Sequence, residues 1–312
     1  MKKIIKYFIP PVFFDILRYL HRMYKKIRKN NVDGDFLGDN RSVIPLSQPQ
    51  LADNNDISPT FEYILEGWSH IRNHPELIGW NAPAILDIYL KRWDLFKSKL
   101  QETGPLGFSP EGDPSTLNIN HHNINMSFAY SFGLACQQRR NVSFLDWGGS
   151  VGHYFLIAKA LFPHIDINYC CKDIAVFSDM GRSLLPNAFF YNDDQYLKGK
   201  FDFVLVSGAL QYVCDWRSEL QKIASVAEQY LFITRLPIIL IVPSFVFVQR
   251  PYSIGYNTEY LAWAINRDEI LQMVESLGFE LVREFITGES HSIENAPEQC
   301  SYQGFLFVKI GT

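Results

Sequence analysis

Val142 to Leu161 reads V-S-F-L-D-W-G-G-S-V-G-H-Y-F-L-I-A-K-A-L, and this stretch decides the fold. Val142, Phe144 and Leu145 make an apolar strand, Gly148, Gly149 and Gly152 crowd the turn after it, and Phe155, Leu156, Ala158 and Leu161 recur at helical spacing. Strand, glycine turn and helix in that order form a ligand-binding unit. The glycines let a ligand approach the backbone, and the free N–H groups of the first helical turn face a polar group. Asp146 narrows the choice of ligand. A dinucleotide fingerprint G-x-G-x-x-G is not matched, because Ser150 stands at the third position of the turn, and an acid at the strand tip repels a pyrophosphate while suiting a cation.

The order D-x-G-G-S-x-G resembles motif I of the Rossmann-like S-adenosylmethionine-dependent methyltransferases, with Ser150 in place of the middle glycine of D/E-x-G-x-G-x-G. The fuller string L-D-W-G-G-S-V-G-H-Y-F, together with V-L-V-S-G-A-L-Q-Y from Val204 to Tyr212, resembles a family of bacterial methyltransferases associated with surface-polysaccharide loci. The likeness runs from about Trp68 to the C-terminus. It implies an α/β Rossmann-like sheet with helices on both faces, S-adenosyl-L-methionine as cofactor, and a sugar-like or lipid-linked glycan as acceptor.

Charge is unevenly spread along the 312 residues. Residues 1–30 carry nine Lys and Arg against Asp15, so this arm is +8 within a chain of net −4 and the other 282 residues carry −12. An acidic body argues against nucleic acid as a partner, since phosphate binding needs the basic face on the folded domain. The first twenty residues are no signal peptide or membrane span, being broken by Lys6, Pro10, Pro11 and Asp15. From Pro11, the residues Val12, Ile16, Leu17 and Leu20 share a helical face with Arg18, Arg22 and Lys25 elsewhere, the pattern of a helix on an anionic membrane surface. The expectation is a cytoplasmic protein, peripheral on the inner face of the membrane. The alternative for this arm is a helix packed on its own domain. Five cysteines without C-x-x-C spacing read as reduced core residues.

The expected domain order is a basic helix at 1–30, a linker at 31–58, a helical cap and loop at 59–140, and the Rossmann-like domain at 141–312. Within the cap, helices are expected over Phe61–Ser69 and Pro83–Leu100. A loop from Gly104 to Asn125 then ends in His121 and His122, and its length suggests function. A helix over about Ile124–Arg139 leads into the motif strand. Later strands are expected at Ile165–Cys171, Ala188–Tyr191, Phe201–Val206 and Tyr230–Thr234, a helix at Arg267–Leu277, and an antiparallel pair at Phe279–Phe285 and Tyr302–Ile310.

Open α/β sheets bind ligands beyond the carboxyl ends of their strands. There stand Asp173, at the spacing of a ribose-binding acid; Asp193, at the position for the adenine; Ser207, with Gln211 and Tyr212 behind it; and Arg235. With Asp146, Gly148, Gly149, Ser150 and Gly152, the residues Asp173, Asp193 and Ser207 are the expected cofactor set. Gln211, Tyr212, Arg235, Gln249 and Arg250 are the expected acceptor set, the last two from an aromatic-rich insertion at 237–264 that reads as an acceptor-side lid or as core. Neither the Ser207 nor the Thr234 strand end carries a carboxylate, so no metal is expected. A hydroxyl acceptor needs a base, and His121, His122 and His153 are its candidates. A scaffold that binds the cofactor without chemistry is the competing reading, and a nicotinamide oxidoreductase is disfavoured by Asp146.

Overall fold

The computed structural model describes residues 60–72, 74, 79–81, 83–137, 139–252 and 258–311. The basic arm at 1–30 and the linker at 31–58 lie outside the described residues. The elements begin with β1 (Thr60–Tyr63), α1 (Pro83–Lys99), α2 (Ile119–Cys136), β2 (Asn141–Trp147), α3 (His153–Leu161), β3 (Asp166–Lys172), α4 (Ala175–Leu184) and β4 (Phe189–Tyr191). They continue with β5 (Phe201–Ser207), α5 (Trp216–Val226), β6 (Ala227–Ile239), β7 (Phe245–Arg250), β8 (Tyr260–Asn266), α6 (Arg267–Ser276), β9 (Phe279–Ile286), β10 (Ile293–Glu294) and β11 (Ser301–Lys309).

The motif strand β2 sits in the middle of the order β4-β3-β2-β5-β6-β11-β9. The first five of these run parallel, and β11 inserts antiparallel between β6 and β9. Parallel strands covered on both faces need apolar residues on both, and β2 and β5 supply them alternately. Phe144 and Phe203 join Phe128 and Phe132 of α2 on one face, with Phe132 and Phe144 each within 5.4 Å of the Phe203 ring centroid. Leu145 and Val204 point the other way, into a second core with Leu220, Ile223, Ile270 and Phe305. Ile85, Tyr89, Trp93 and Phe96 of α1 extend the first core, which explains their spacing of three and four.

Three elements differ from expectation. The segment expected as a helix at Phe61–Ser69 begins as strand β1, antiparallel to β7 from Thr60↔Arg250 to Tyr63↔Phe247, and continues as a 3-10 turn at Gly67–Arg72. The described part of 237–264 carries strands: β6 runs on to Ile239, where Ile238 and Ile239 pair with Ile265 and Asn266 of β8, and β7 pairs back on β8. Its Phe245 and Phe247 are buried in a small core with Phe61, Ile293 and Tyr302, so these rings pack inside rather than forming a lid. The third difference is α2, which starts at Ile119. The Asn118 side chain caps it by accepting from the Asn120 and His121 backbone N–H groups, so His121 and His122 lie in the first turns of a helix and not at a loop end. Four cysteines are buried as expected, whereas Cys214 is exposed.

Candidate active site

The turn after β2 is packed so closely against Ala209 and Asp146 that two of its positions admit no side chain. Gly148 has φ +70°, and a methyl group there would collide with the Ala209 Cβ. One on Gly149 would collide with the Asp146 carboxyl carbon. Gly152 (φ +85°) begins α3. Ser150 adopts φ +54°, the left-handed conformation that glycine takes without strain, and its hydroxyl is buried without a partner. Its backbone N–H donates to Asp173 Oδ2 at 2.7 Å, and Ile174 N–H donates to Oδ1 at 2.7 Å. Asp173, at the carboxyl end of β3, is thus fixed by two backbone donors while keeping acceptor capacity. Packing around its carboxylate still draws its pKa up to about 6.

Asp146 lies elsewhere than the strand-tip argument expects. It is fully buried beneath Gly149, with Tyr169 donating to Oδ2 at 2.7 Å and Oδ1 unpartnered, and it does not line the cavity. Burial raises its pKa to about 7. Its place is to support the turn from below.

Beyond the strand ends opens a cavity of about 450 Å³. Gly148, Ser150, Asp173 and Ser207 line it from the cofactor set, and Gln211, Tyr212, Arg235 and Gln249 from the acceptor set. Asp193 does not: it caps a 3-10 turn, accepting from Gln195 N–H at 3.0 Å, and its neighbour Asp194 lines the cavity instead. Arg250 is also absent from the lining, being paired with Glu62 at 2.7 Å and Glu259 at 3.2 Å.

None of the three expected histidines reaches the cavity wall. His122 does not line it. His121 sits behind the wall, its Nε2 3.5 Å from Ser109 Oγ, and burial lowers its pKa. His153 is buried between Phe96 and Tyr154, and burial depresses its pKa to about 4, so it packs as a neutral ring. The cavity is lined instead by His291, stacked on Phe61 at 4.5 Å and edge-on to Tyr302 at 5.4 Å. Burial lowers its pKa, against the pull of the nearby Glu289 carboxylate.

Two further cavity residues, Glu111 and Glu289, carry no signal at strand ends. Glu111 comes from the Gly- and Pro-rich loop whose length suggests function, and Glu289 from the loop after β9. Both meet Arg235. Its Nε donates to both Glu289 oxygens at 3.3 Å and its Nη2 to Oε1 at 3.1 Å, while Nη1 lies 3.6 Å from Glu111 Oε2. Tyr89 donates to the other Glu111 oxygen at 2.8 Å. Burial would raise the Glu111 pKa, but the Arg235 charge leads the groups that outweigh it, the Tyr89 hydrogen bond among them, and they hold the carboxyl below its usual value, ionised. Arg235 takes φ +54° to present its guanidinium here. Trp80 and Tyr212 complete the wall, ring centroids 5.2 Å apart, with Tyr212 donating to Gln249 Oε1 at 3.1 Å.

No family model and no curated protein matches the chain. Among solved structures it is similar to magnesium protoporphyrin IX methyltransferase from Synechocystis PCC 6803 with bound S-adenosylmethionine, at 14% identity and a TM-score of 0.43, over 74% of this chain and 99% of that one. It is also similar to the 1,6-didemethyltoxoflavin-N1-methyltransferase of Burkholderia thailandensis (16%, TM-score 0.40, 60% of this chain and 79% of that one). A third is an S-adenosylmethionine-dependent methyltransferase from Methanosarcina mazei (15%, TM-score 0.42, 55% and 93%). These likenesses are distant. The class of fold is carried by this chain's own strand order, five parallel strands followed by the antiparallel insertion of β11, a Rossmann-like α/β sheet.

Proposed function

We propose that this chain is an S-adenosylmethionine-dependent methyltransferase that methylates a hydroxyl oxygen of a sugar-like acceptor. One observation carries the reading: the glycine turn and Asp173 open into the same cavity as a polar, aromatic-walled chamber made by Trp80, Tyr212, Gln211, Arg235, Glu289 and His291. The residues present fit the cofactor. The volume lies within the roughly 300–1,000 Å³ of small-molecule sites, the turn has no room for side chains at Gly148 and Gly149, and Asp173 retains lone pairs for the two hydroxyls of a ribose. When bound, the cofactor supplies an electrophilic methyl group on a sulfonium.

The chain's own residues supply the rest. Trp80 and Tyr212 offer rings for the C–H faces of a sugar, and holding the nucleophile in place removes the entropy of encounter. His291, kept neutral by burial, accepts the hydroxyl proton in place of the histidines expected from the sequence. The proposed transfer is metal-independent, because β5 ends at Ser207, beside Thr234 of β6, and neither is the carboxylate a hard cation would need there.

The same proposal places residues 1–30 against an anionic membrane surface, where a lipid-linked glycan is presented to the site. No helix among the described residues is long and apolar enough to cross a membrane. The test is mass spectrometry of surface glycan from cells with and without the gene, the latter also complemented by the His291→Ala form. Loss of one methyl, restored by wild type and not by His291→Ala, is expected. An unchanged glycan overturns the proposal.

A further inference from the structure

A chamber that binds an acceptor through charge shows which charge it wants by what its own charged groups already hold. Arg235 is the residue that would greet a phosphate or a carboxylate, yet it is bracketed by Glu289 and Glu111, carboxylates brought from two different loops. Two carboxylates against one guanidinium leave the cluster negative. An anion that took the guanidinium would strand a half-buried carboxylate without its counter-ion, which is costly in a partly desolvated site. A second, independent feature points the same way. Gln211 is 2% exposed and lines the cavity; its amide nitrogen donates to the Arg235 carbonyl at 3.4 Å, which fixes the orientation, and its Oε1 has no partner. A buried carbonyl without a donor costs free energy until a ligand provides one. Tyr212 adds to the pattern by committing its hydroxyl proton to Gln249.

We infer that this chamber selects its acceptor by charge: it takes an uncharged sugar whose other hydroxyls donate to Gln211 Oε1, Glu111 and Glu289 while the reacting hydroxyl faces His291, and rejects a sugar acid or sugar phosphate there. Arg235 is then a positioning residue, the counter-ion that keeps both carboxylates ionised and in place, and not the acceptor-binding cation expected from its strand end. The inference rests on the methyl-donor reading of the cavity, since the acceptor must meet the donor in the walls that Asp173 and the glycine turn leave open.

The test needs no acceptor, because analogues of the cofactor carry known charges into the chamber. Calorimetry on the full chain compares S-adenosylhomocysteine, S-adenosylmethionine, sinefungin, whose amine stands in for the transferred methyl, and the S-adenosylmethionine analogue with a carboxymethyl group in that position. Sinefungin is expected to bind at least about tenfold more tightly than S-adenosylhomocysteine, and the carboxymethyl analogue at least about tenfold more weakly than S-adenosylmethionine. In Glu111→Gln, both ratios shrink by about threefold or more while S-adenosylhomocysteine affinity holds. Should that variant not fold, Glu289→Gln is read in the same way. A carboxymethyl analogue that binds as tightly as S-adenosylmethionine shows Arg235 open to anions and overturns the inference alone. If none of these ligands binds, the methyl-donor reading falls and the inference with it.

Discussion

Replacing Asp146 with asparagine should invert its effect on stability between acid and alkaline pH. The carboxyl is fully buried under Gly149 and receives a single hydrogen bond, from Tyr169. Its pKa rises from 3.8 to about 7, with burial the main cause. At about 1.36 kcal/mol per unit, an ionised Asp146 costs the folded protein about 4 kcal/mol at pH 8. The sign follows from proton counting. Between about pH 4 and 7 the folded state holds a proton that the unfolded state has lost, so this group's contribution is complete below pH 4 and falls as pH rises to 7. Asparagine keeps a carbonyl for the Tyr169 hydroxyl and carries no charge, but sets an amide where Oδ1 has no partner, at a cost of about 1–3 kcal/mol. Asp146→Asn is therefore expected to be less stable than wild type at about pH 4.5 and more stable, by about 1–3 kcal/mol, at pH 8. Urea denaturation followed by circular dichroism at the two pH values measures it. A difference between variant and wild type that is the same at both would refute the reasoning.

His153 should behave in the opposite sense. Its pKa is depressed by burial to about 4, so stability tied to it rises with pH from 4 to 6.5, by about 3 kcal/mol, and His153→Gln should remove that rise and leave the fall due to Asp146 in the same denaturation series. Because the two groups oppose each other over that range, the wild-type profile should be flatter than either variant's. Ser150→Gly should raise thermal stability by about 0.5–1 kcal/mol, since removing the left-handed strain of roughly 1–2 kcal/mol outweighs the added chain entropy of glycine; a lowered melting temperature contradicts this. A chain beginning at Asn31 should lose salt-sensitive co-sedimentation with anionic liposomes, to which each basic residue of the arm contributes about 1 kcal/mol or less. Equal pelleting of the two proteins removes the membrane claim.

The parts of the fold set by local pattern were legible in the sequence. The strand, glycine turn and helix at Val142–Leu161, the parallel strands after it and the final antiparallel pair all follow from short-range periodicity and turn chemistry. What escaped depends on distant partners. Thr60–Tyr63 is a strand because β7, nearly two hundred residues later, pairs with it, and nothing within Phe61–Ser69 announces that. The rings at Phe245 and Phe247 read as lid or as core in isolation, and Phe61 and Ile293 arriving beside them make them core. The site divides along the same line. Asp173 and Ser207 stand at strand ends, where the sheet geometry points, and both line the cavity. Glu111, Glu289 and His291 come from loops whose path the sequence does not specify. One signal was present: Glu111 is flanked by Pro110 and Gly112 in the loop already singled out for its length. Asp146 misled for a different reason, since alternation along β2 fixes which face each residue points to but not that Gly149 closes over the carboxylate.

The central claim is that this cavity holds S-adenosylmethionine through Asp173, and isothermal calorimetry on the full chain and its Asp173→Ala form tests it most directly. The account predicts that wild type binds S-adenosylmethionine more tightly than NAD. It also predicts that the variant loses at least about tenfold in affinity, because each hydrogen bond to a carboxylate contributes about 1.5–3 kcal/mol. Tighter binding of NAD, or an Asp173→Ala protein that binds S-adenosylmethionine as wild type does, would contradict it.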